Sequence, residues 1–328
     1  MKLLLIGGPK FVGRALIEAA LAAGHEVTTF NRGKTNADLY PEIEKLHGNR
    51  DGELDVLKGR TWDAVIDTSG YTPGVVRQSA ELLRDAVKYY VFVSSVSVYE
   101  EPWKGIDEDS PLQQLAEGDP IDQVTGANYG PLKSMCENAV LEIYGDRAII
   151  TRPGMIVGPW DNTYRFPYWV KRVAEGGKVL YPAGGHSFQL IDVRDHADFI
   201  LHLLETGTTG VFSVTGPAQP FPFLEILQAI KQVSGSDAEF VGVDDDFLTS
   251  HEVGAWMEFP FWIPNNTDWS HINVGRAINA GLKFRPVNET LKDTLDWLNS
   301  HELPSPFPTG LSQEKEATLI EAAAETEG

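Results

Sequence analysis

The chain has 328 residues, 42% hydrophobic and 23% charged, a composition that suits a soluble globular protein and excludes wholesale disorder. Its 27 Lys and Arg stand against 47 Asp and Glu, a formal net charge of -20, which does not suit a chain that must coat a polyanion such as nucleic acid. A single cysteine, Cys136, allows no internal disulfide and fits a reducing, cytoplasmic setting.

In chain order, residues 3–6 (LLLI) read as a buried strand that stops at Gly7-Gly8, too short for the apolar core of a secretory signal. No later stretch approaches the ~20 apolar residues of a membrane span, so no membrane partner is expected. A helix rich in Ala and Leu follows over 11–23, then a second strand over 26–30. Further apolar runs at 64–66, 90–93 and 148–150 alternate with helical patterns, and no hairpin turns separate them. That alternation predicts βαβ units and a mostly parallel sheet.

Beyond residue 155 the texture changes. Aromatics and prolines crowd 159–169 and 256–264, and between them 189–193, 195–205 and 211–215 read as another strand–helix–strand unit. The expected fold is α/β: a doubly wound parallel (Rossmann) sheet with a smaller, mostly C-terminal lobe. Its domains would be a dinucleotide-binding domain over 1–154 to which 186–216 returns, a substrate lobe from 155–185 and 217–300, and an acidic tail over 301–328. The tail reads as packed on the surface or partly loose, with a helix-like run at 313–324. Residues 236–258 hold seven acids and no Lys or Arg, and 301–328 hold six glutamates against Lys315. These two segments carry -12 of the -20, so the acidity does not oppose an anionic ligand elsewhere.

The turn Gly7-Gly8-Pro9-Lys10-Phe11-Val12-Gly13 follows the first strand and opens the first helix. Glycines there permit a tight turn and close approach, and the helix N-terminus offers free N–H groups to a pyrophosphate. Lys10 stands where a third glycine is usual: a solvent-facing lysine or a cation placed for a phosphate. The second strand ends in Asn31-Arg32-Gly33-Lys34, without the acid that an NAD site uses for the ribose 2′-hydroxyl, whereas arginine accommodates a 2′-phosphate. NADP is therefore expected over NAD.

Tyr129 and Lys133 lie four residues apart on one helical face, with Pro131 confined to the first turn. Some thirty residues upstream, the strand at 91–93 runs into Ser94-Ser95-Val96-Ser97-Val98-Tyr99, where a hydroxyl reaches the ligand end of a doubly wound sheet. Taken singly, each of these features has an ordinary structural explanation.

Together they resemble the short-chain dehydrogenase/reductase superfamily, most closely its extended and atypical, epimerase/dehydratase-like branch. The resemblance runs from the glycine turn through SSVSVY at 94–99, YGPLK at 129–133, RPGMIVGP at 152–159, IDVRDHA at 191–197 and GLKFRP at 281–286. It implies Tyr129 as acid/base, Lys133 as its partner and ribose contact, and Ser95 as the hydroxyl that orients the reacting oxygen. It further implies cofactor contacts from Phe11, Val12, Asp51, Ser69, Pro153 and Ile156. A neighbouring ammonium favours the phenolate of a tyrosine, and a positioned hydroxyl stabilises a developing oxyanion.

Three readings follow from the resemblance. The first is an NADP-dependent reductase or dehydrogenase of a small carbonyl or alcohol. The second is a nucleotide-sugar epimerase or dehydratase; relatives of that kind tend to carry an arginine three residues before the Ile-x-Val motif, where this chain has Phe188. The third is a non-catalytic, RNA-binding or regulatory relative such as the chloroplast stem-loop binding proteins, which the acidic balance opposes. Tyr71, Ser97, Trp160, Tyr164, Phe188 and Trp262 are the candidate substrate-lining residues, although the rings also suit a lobe core. Lined by aromatics, a site would favour an apolar or aromatic substrate. The eight histidines show no metal-ligand spacing, and no metal is expected. Relatives often pair through the helix carrying Tyr129, so a homodimer is an expectation that one chain leaves open.

Overall fold

A computed structural model describes residues 1–101, 105–267 and 269–326 of the chain. Its central feature is a seven-stranded sheet. Strands β1 (Lys2–Ile6), β2 (Glu26–Asn31), β3 (Glu44–His47), β4 (Ala64–Asp67), β5 (Tyr89–Val93) and β6 (Ala148–Pro153) are joined by Gly210–Val214. The order is Gly210–Val214, β6, β5, β4, β1, β2, β3, and every pairing is parallel. Strand β1 is apolar throughout its buried part because it lies between β4 and β2 with both faces covered. The chain leaves β1 toward β2 and β3, then crosses back to β4, so the C-terminal ends of β1 and β4 flank the switch point where such sheets bind ligands.

Helices α1 (Phe11–Ala22), α2 (Pro73–Leu83) and α3 (Tyr129–Tyr144) connect the strands; α2 packs on α3, and α1 packs on helix Val193–Thr206. Strand β3, absent from the sequence reading, has one buried residue, Leu46, so neither alternation nor an apolar run announces it. The expected strand at 189–193 is only Leu190–Asp192, and it lies outside the seven-stranded sheet.

Two compact units emerge. The sheet unit comprises Met1–Met155, Val193–Thr215 and Ile272–Lys283; the second comprises Ile156–Asp192, Gly216–His271 and Phe284–Gly328. Residues 186–192, grouped by sequence with the sheet, fall in the second unit, where Ser187–Phe188 pairs with Phe221–Pro222. Conversely, Ile272 buries itself against Val96, Val98 and Tyr99, drawing Ile272–Lys283 into the sheet unit.

The second unit has its own aromatic core. Trp169 packs edge-on against Phe223 and Phe259, and its indole donates to the Pro260 carbonyl at 2.9 Å. The C-terminal helix Gln313–Thr326 is anchored: Glu316 is buried, accepts the Leu180 backbone N–H at 3.1 Å and pairs with Arg172 at 2.5 Å, while Lys315 pairs with Glu258. Among the described residues, no helix is long and apolar enough to cross a membrane.

His196 should make the sheet unit acid-sensitive. It is fully buried on helix Val193–Thr206, with Nε2 3.1 Å from Thr151 Oγ1 of β6, and desolvation pushes its pKa down to about 4. In the unfolded chain an imidazole titrates near 6.5. The unfolded state therefore binds more protons between those values, and stability falls by about 3 kcal/mol as pH drops from about 6.5 to about 4. Urea unfolding of the wild type and His196→Gln at pH 7 and pH 4.5 should show a weaker acid dependence in the variant. Equal pH dependence would remove His196 as the cause.

Candidate active site

The glycine turn is shaped by steric limits. Gly7 has φ +142°, and a Cβ there would lie 2.2 Å from Thr68 Oγ1; a Cβ on Gly13 would lie 2.2 Å from the Gly8 carbonyl oxygen. Gly13 thus lets the first turn of α1 close onto the loop. Gly13→Ala should cost about 1–3 kcal/mol through overpacking, which chemical denaturation would measure; an unchanged midpoint would mean that the turn yields freely. Gly8 differs, since a Cβ there would meet nothing within 4 Å, and its backbone lines a cavity. Helix α1 begins without a side-chain cap, leaving its first N–H groups for an anion.

That cavity, about 280 Å³, gathers Gly7, Gly8, Asn31, Arg32, Lys34 and Ser69 from the expected cofactor set, together with Tyr71. Its lining holds three cations, Arg32, Lys34 and Arg50, and no carboxylate. Arg32 and Lys34 are exposed and have no acidic partner among the described residues. The Asn31 amide is already engaged, accepting from Gly33 N at 2.8 Å and donating to the Gly7 carbonyl at 3.2 Å, so it braces the turn. Lys10, Phe11, Val12 and Gly13 build the turn and helix start but do not line the cavity, and neither do Pro153 at the end of β6 or Ile156 in the strand Met155–Val157. Asp51 is exposed and also outside the lining; Gly48, Asn49 and Arg50 stand at the wall instead. Sequence reasoning missed these three because it missed β3, whose end carries them.

Lys133 is 3% exposed on α3. Its ammonium donates to the Gly70 carbonyl at 2.9 Å and the Val93 carbonyl at 2.6 Å, and lies 4.2 Å from the Phe92 ring centroid and 5.6 Å from that of Tyr71. Lysine has three protons to donate, so these carbonyls leave one for a further acceptor. Burial pushes its pKa down to about 8. Tyr129 opens α3 one turn earlier, behind the fully buried Asn128, whose side chain accepts from Thr125 N and donates to the Pro120 and Gln123 carbonyls. A Cβ on Gly130 would lie 2.1 Å from the Ser97 carbonyl oxygen, so the glycine after Tyr129 lets α3 close onto the serine turn. Within that turn Ser95 Oγ accepts from Ser97 N and donates to Ser97 Oγ, both at 3.1 Å. Below Lys133, Glu137 is locked to Arg152 of β6 at 2.6 Å, which pins the register of α3 against the sheet.

In the second unit, Phe188 and Trp262 are core residues, each 1% exposed. Phe188 packs on Phe223 and Phe261, and Trp262 packs on Phe259 while donating to Asp245 at 2.8 Å. These two lining assignments are therefore corrected: the aromatic-rich segments bury their largest rings to build the lobe. Trp160 and Tyr164 join Trp297, with His301 against Trp160 and Phe307 against Tyr164.

Residues 73–214, which include the serine turn and all of α3, match the model of the NAD dependent epimerase/dehydratase family. That stretch, less than half of the chain, is similar to the NAD dependent epimerase/dehydratase family. Similar sequences include chloroplast stem-loop binding protein of 41 kDa b of Arabidopsis thaliana, 26% identical over 66% of this chain and 58% of that protein. Another is N-acetyl-alpha-D-glucosaminyl-diphospho-ditrans,octacis-undecaprenol 4-epimerase of Escherichia coli O157:H7, 29% identical over 63% of this chain and 64% of that protein. Both matches thus span less than two thirds of the relative. Among solved structures, the Bordetella bronchiseptica enzyme WbmH in complex with NAD+ shares the fold, with a TM-score of 0.69 at 16% identity, covering 92% of this chain and 99% of that one.

Proposed function

We propose that the chain is an NADP-preferring enzyme that moves hydride between nicotinamide and the carbonyl or alcohol carbon of a small substrate. The observation that carries the cofactor assignment is the cavity at the ends of β1 and β2, walled by the glycine turn and three cations with no carboxylate. Gly8 leaves room where a pyrophosphate must approach the backbone, and Arg32 and Lys34 suit a 2′-phosphate. When bound, the nicotinamide supplies or accepts the hydride.

The chain's own residues would manage the proton and the oxygen. Tyr129 gives the proton of its phenol to the carbonyl oxygen, or takes it back in the reverse direction. Lys133, anchored by two backbone carbonyls, keeps its third N–H for the ribose or for the phenol oxygen, and its charge favours the phenolate. The Ser95 hydroxyl must swing its proton from Ser97 Oγ to the substrate oxygen, a rotation about one bond that leaves the Ser97 N–H contact in place.

The names of similar proteins favour a second reading, a nucleotide-sugar epimerase or dehydratase using the same three residues with transient oxidation. The buried phenylalanine at 188, where sugar-nucleotide epimerases of this branch tend to carry an arginine for the diphosphate, weighs against it. A substrate screen followed by the absorbance of reduced nicotinamide separates the two. Net consumption with carbonyls supports the reductase, whereas conversion of a sugar nucleotide without net consumption supports the epimerase.

A further inference from the structure

Asp67 and Arg50 form a buried ion pair that the reaction scheme above does not use. Asp67, 0% exposed at the end of β4, takes both ends of the Arg50 guanidinium, at 2.6 and 2.7 Å. It also accepts from Ser69 N at 3.0 Å and from the Tyr90 phenol at 2.9 Å. Arg50 additionally reaches Ser79 Oγ at 2.9 Å and Ser69 Oγ at 3.3 Å. A carboxylate this deep stays ionised only because it is paired and multiply hydrogen-bonded, and Arg50 holds its pKa below the usual carboxylate range.

The pair leads directly to Lys133. Ser69, held through its N–H by Asp67, is followed by Gly70, whose carbonyl receives the Lys133 ammonium. Gly70 is closely packed and leaves no room for a side chain: a Cβ there would lie 2.5 Å from Phe92, 2.6 Å from Val76 and 3.3 Å from Asp67 Oδ2. The other groups around the ammonium do not supply a free counter-charge. Phe92 and Val93 of β5 and Tyr71 are uncharged, Glu137 of α3 is committed to Arg152, and burial pushes the Cys136 thiol up to about 12.

We propose that Arg50 and Asp67 are positioning residues for Lys133: the pair fixes the Ser69–Gly70 turn that holds the ammonium, and its two charges set the field in which that ammonium titrates. This links the cavity wall, where Arg50 stands, to the acid–base centre. The importance of Lys133 rests on the proposed function, but its titration does not.

The test follows Lys133 by NMR in full-length protein carrying 13C-labelled lysine, with the resonance assigned by its loss in Lys133→Met. Asp67→Asn removes the negative charge and should lower the Lys133 midpoint by about one pH unit, whereas Arg50→Gln removes the positive charge and should raise it by a similar amount. Opposite signs are the signature, because simple loosening of the site would move both variants the same way. Shifts of the same sign, or none, overturn the proposal. Should either single variant fail to fold, the double variant Arg50→Gln with Asp67→Asn is neutral overall and should titrate near wild type; a shift of a full unit there overturns the charge-setting role. The midpoints are read without substrate or cofactor, so they stand apart from any failure to find turnover.

Discussion

Tyr129→Phe should lower turnover by about 10²–10⁴-fold, the range for losing a positioned proton donor, while NADPH affinity changes by less than about twofold. The substitution removes one hydroxyl and leaves the ring that opens α3, the Asn128 loop bracing and the Gly130 contact in place. Single-turnover rates and fluorescence titration measure the two quantities separately. A variant within tenfold of wild-type turnover would exclude Tyr129 as the acid. A pH profile adds an independent readout. Burial pushes the Lys133 pKa down to about 8, so carbonyl reduction should hold steady below that pH and decline above it as the ammonium is lost.

Arg32→Asp should weaken NADPH binding by about 10–100-fold and leave NADH binding equal or tighter. Losing a charge-assisted contact to the 2′-phosphate costs about 1.5–3 kcal/mol, and the new carboxylate can accept from a free ribose 2′-hydroxyl. Because Arg32 and Lys34 are exposed, the wild-type preference for NADPH should also shrink as salt rises. Titration of both nucleotides at two ionic strengths checks this, and equal wild-type affinities at low salt would end the NADP assignment.

The glycine turn, the serine turn and the Tyr129–Lys133 spacing were readable because each depends on local backbone geometry: a tight approach, a strand end, one turn of helix. Gly7 and Gly13 are glycines because a Cβ at either would meet an atom 2.2 Å away, and sequence position alone pointed to both. Arg50 was not readable. Nothing local in Asn49-Arg50-Asp51 says which side chain turns inward. That choice is made by Asp67, 17 residues away, whose buried carboxylate needs a cation. The same reasoning separates the aromatic residues. Richness in rings predicted a wall, but whether a ring faces solvent or the lobe interior depends on partners distant in sequence, as Phe188 shows against Phe223 and Phe261.

By itself, then, the sequence determined the parallel sheet, the tight glycine turn and the one-turn spacing of Tyr129 and Lys133, all consequences of short-range periodicity and backbone sterics. Tertiary structure alone decided which cations line the cavity, which carbonyls hold Lys133 and which ion pair stands behind them. Those outcomes follow from desolvation, and the cost of burying a charge is known only once the chain has brought its partner alongside.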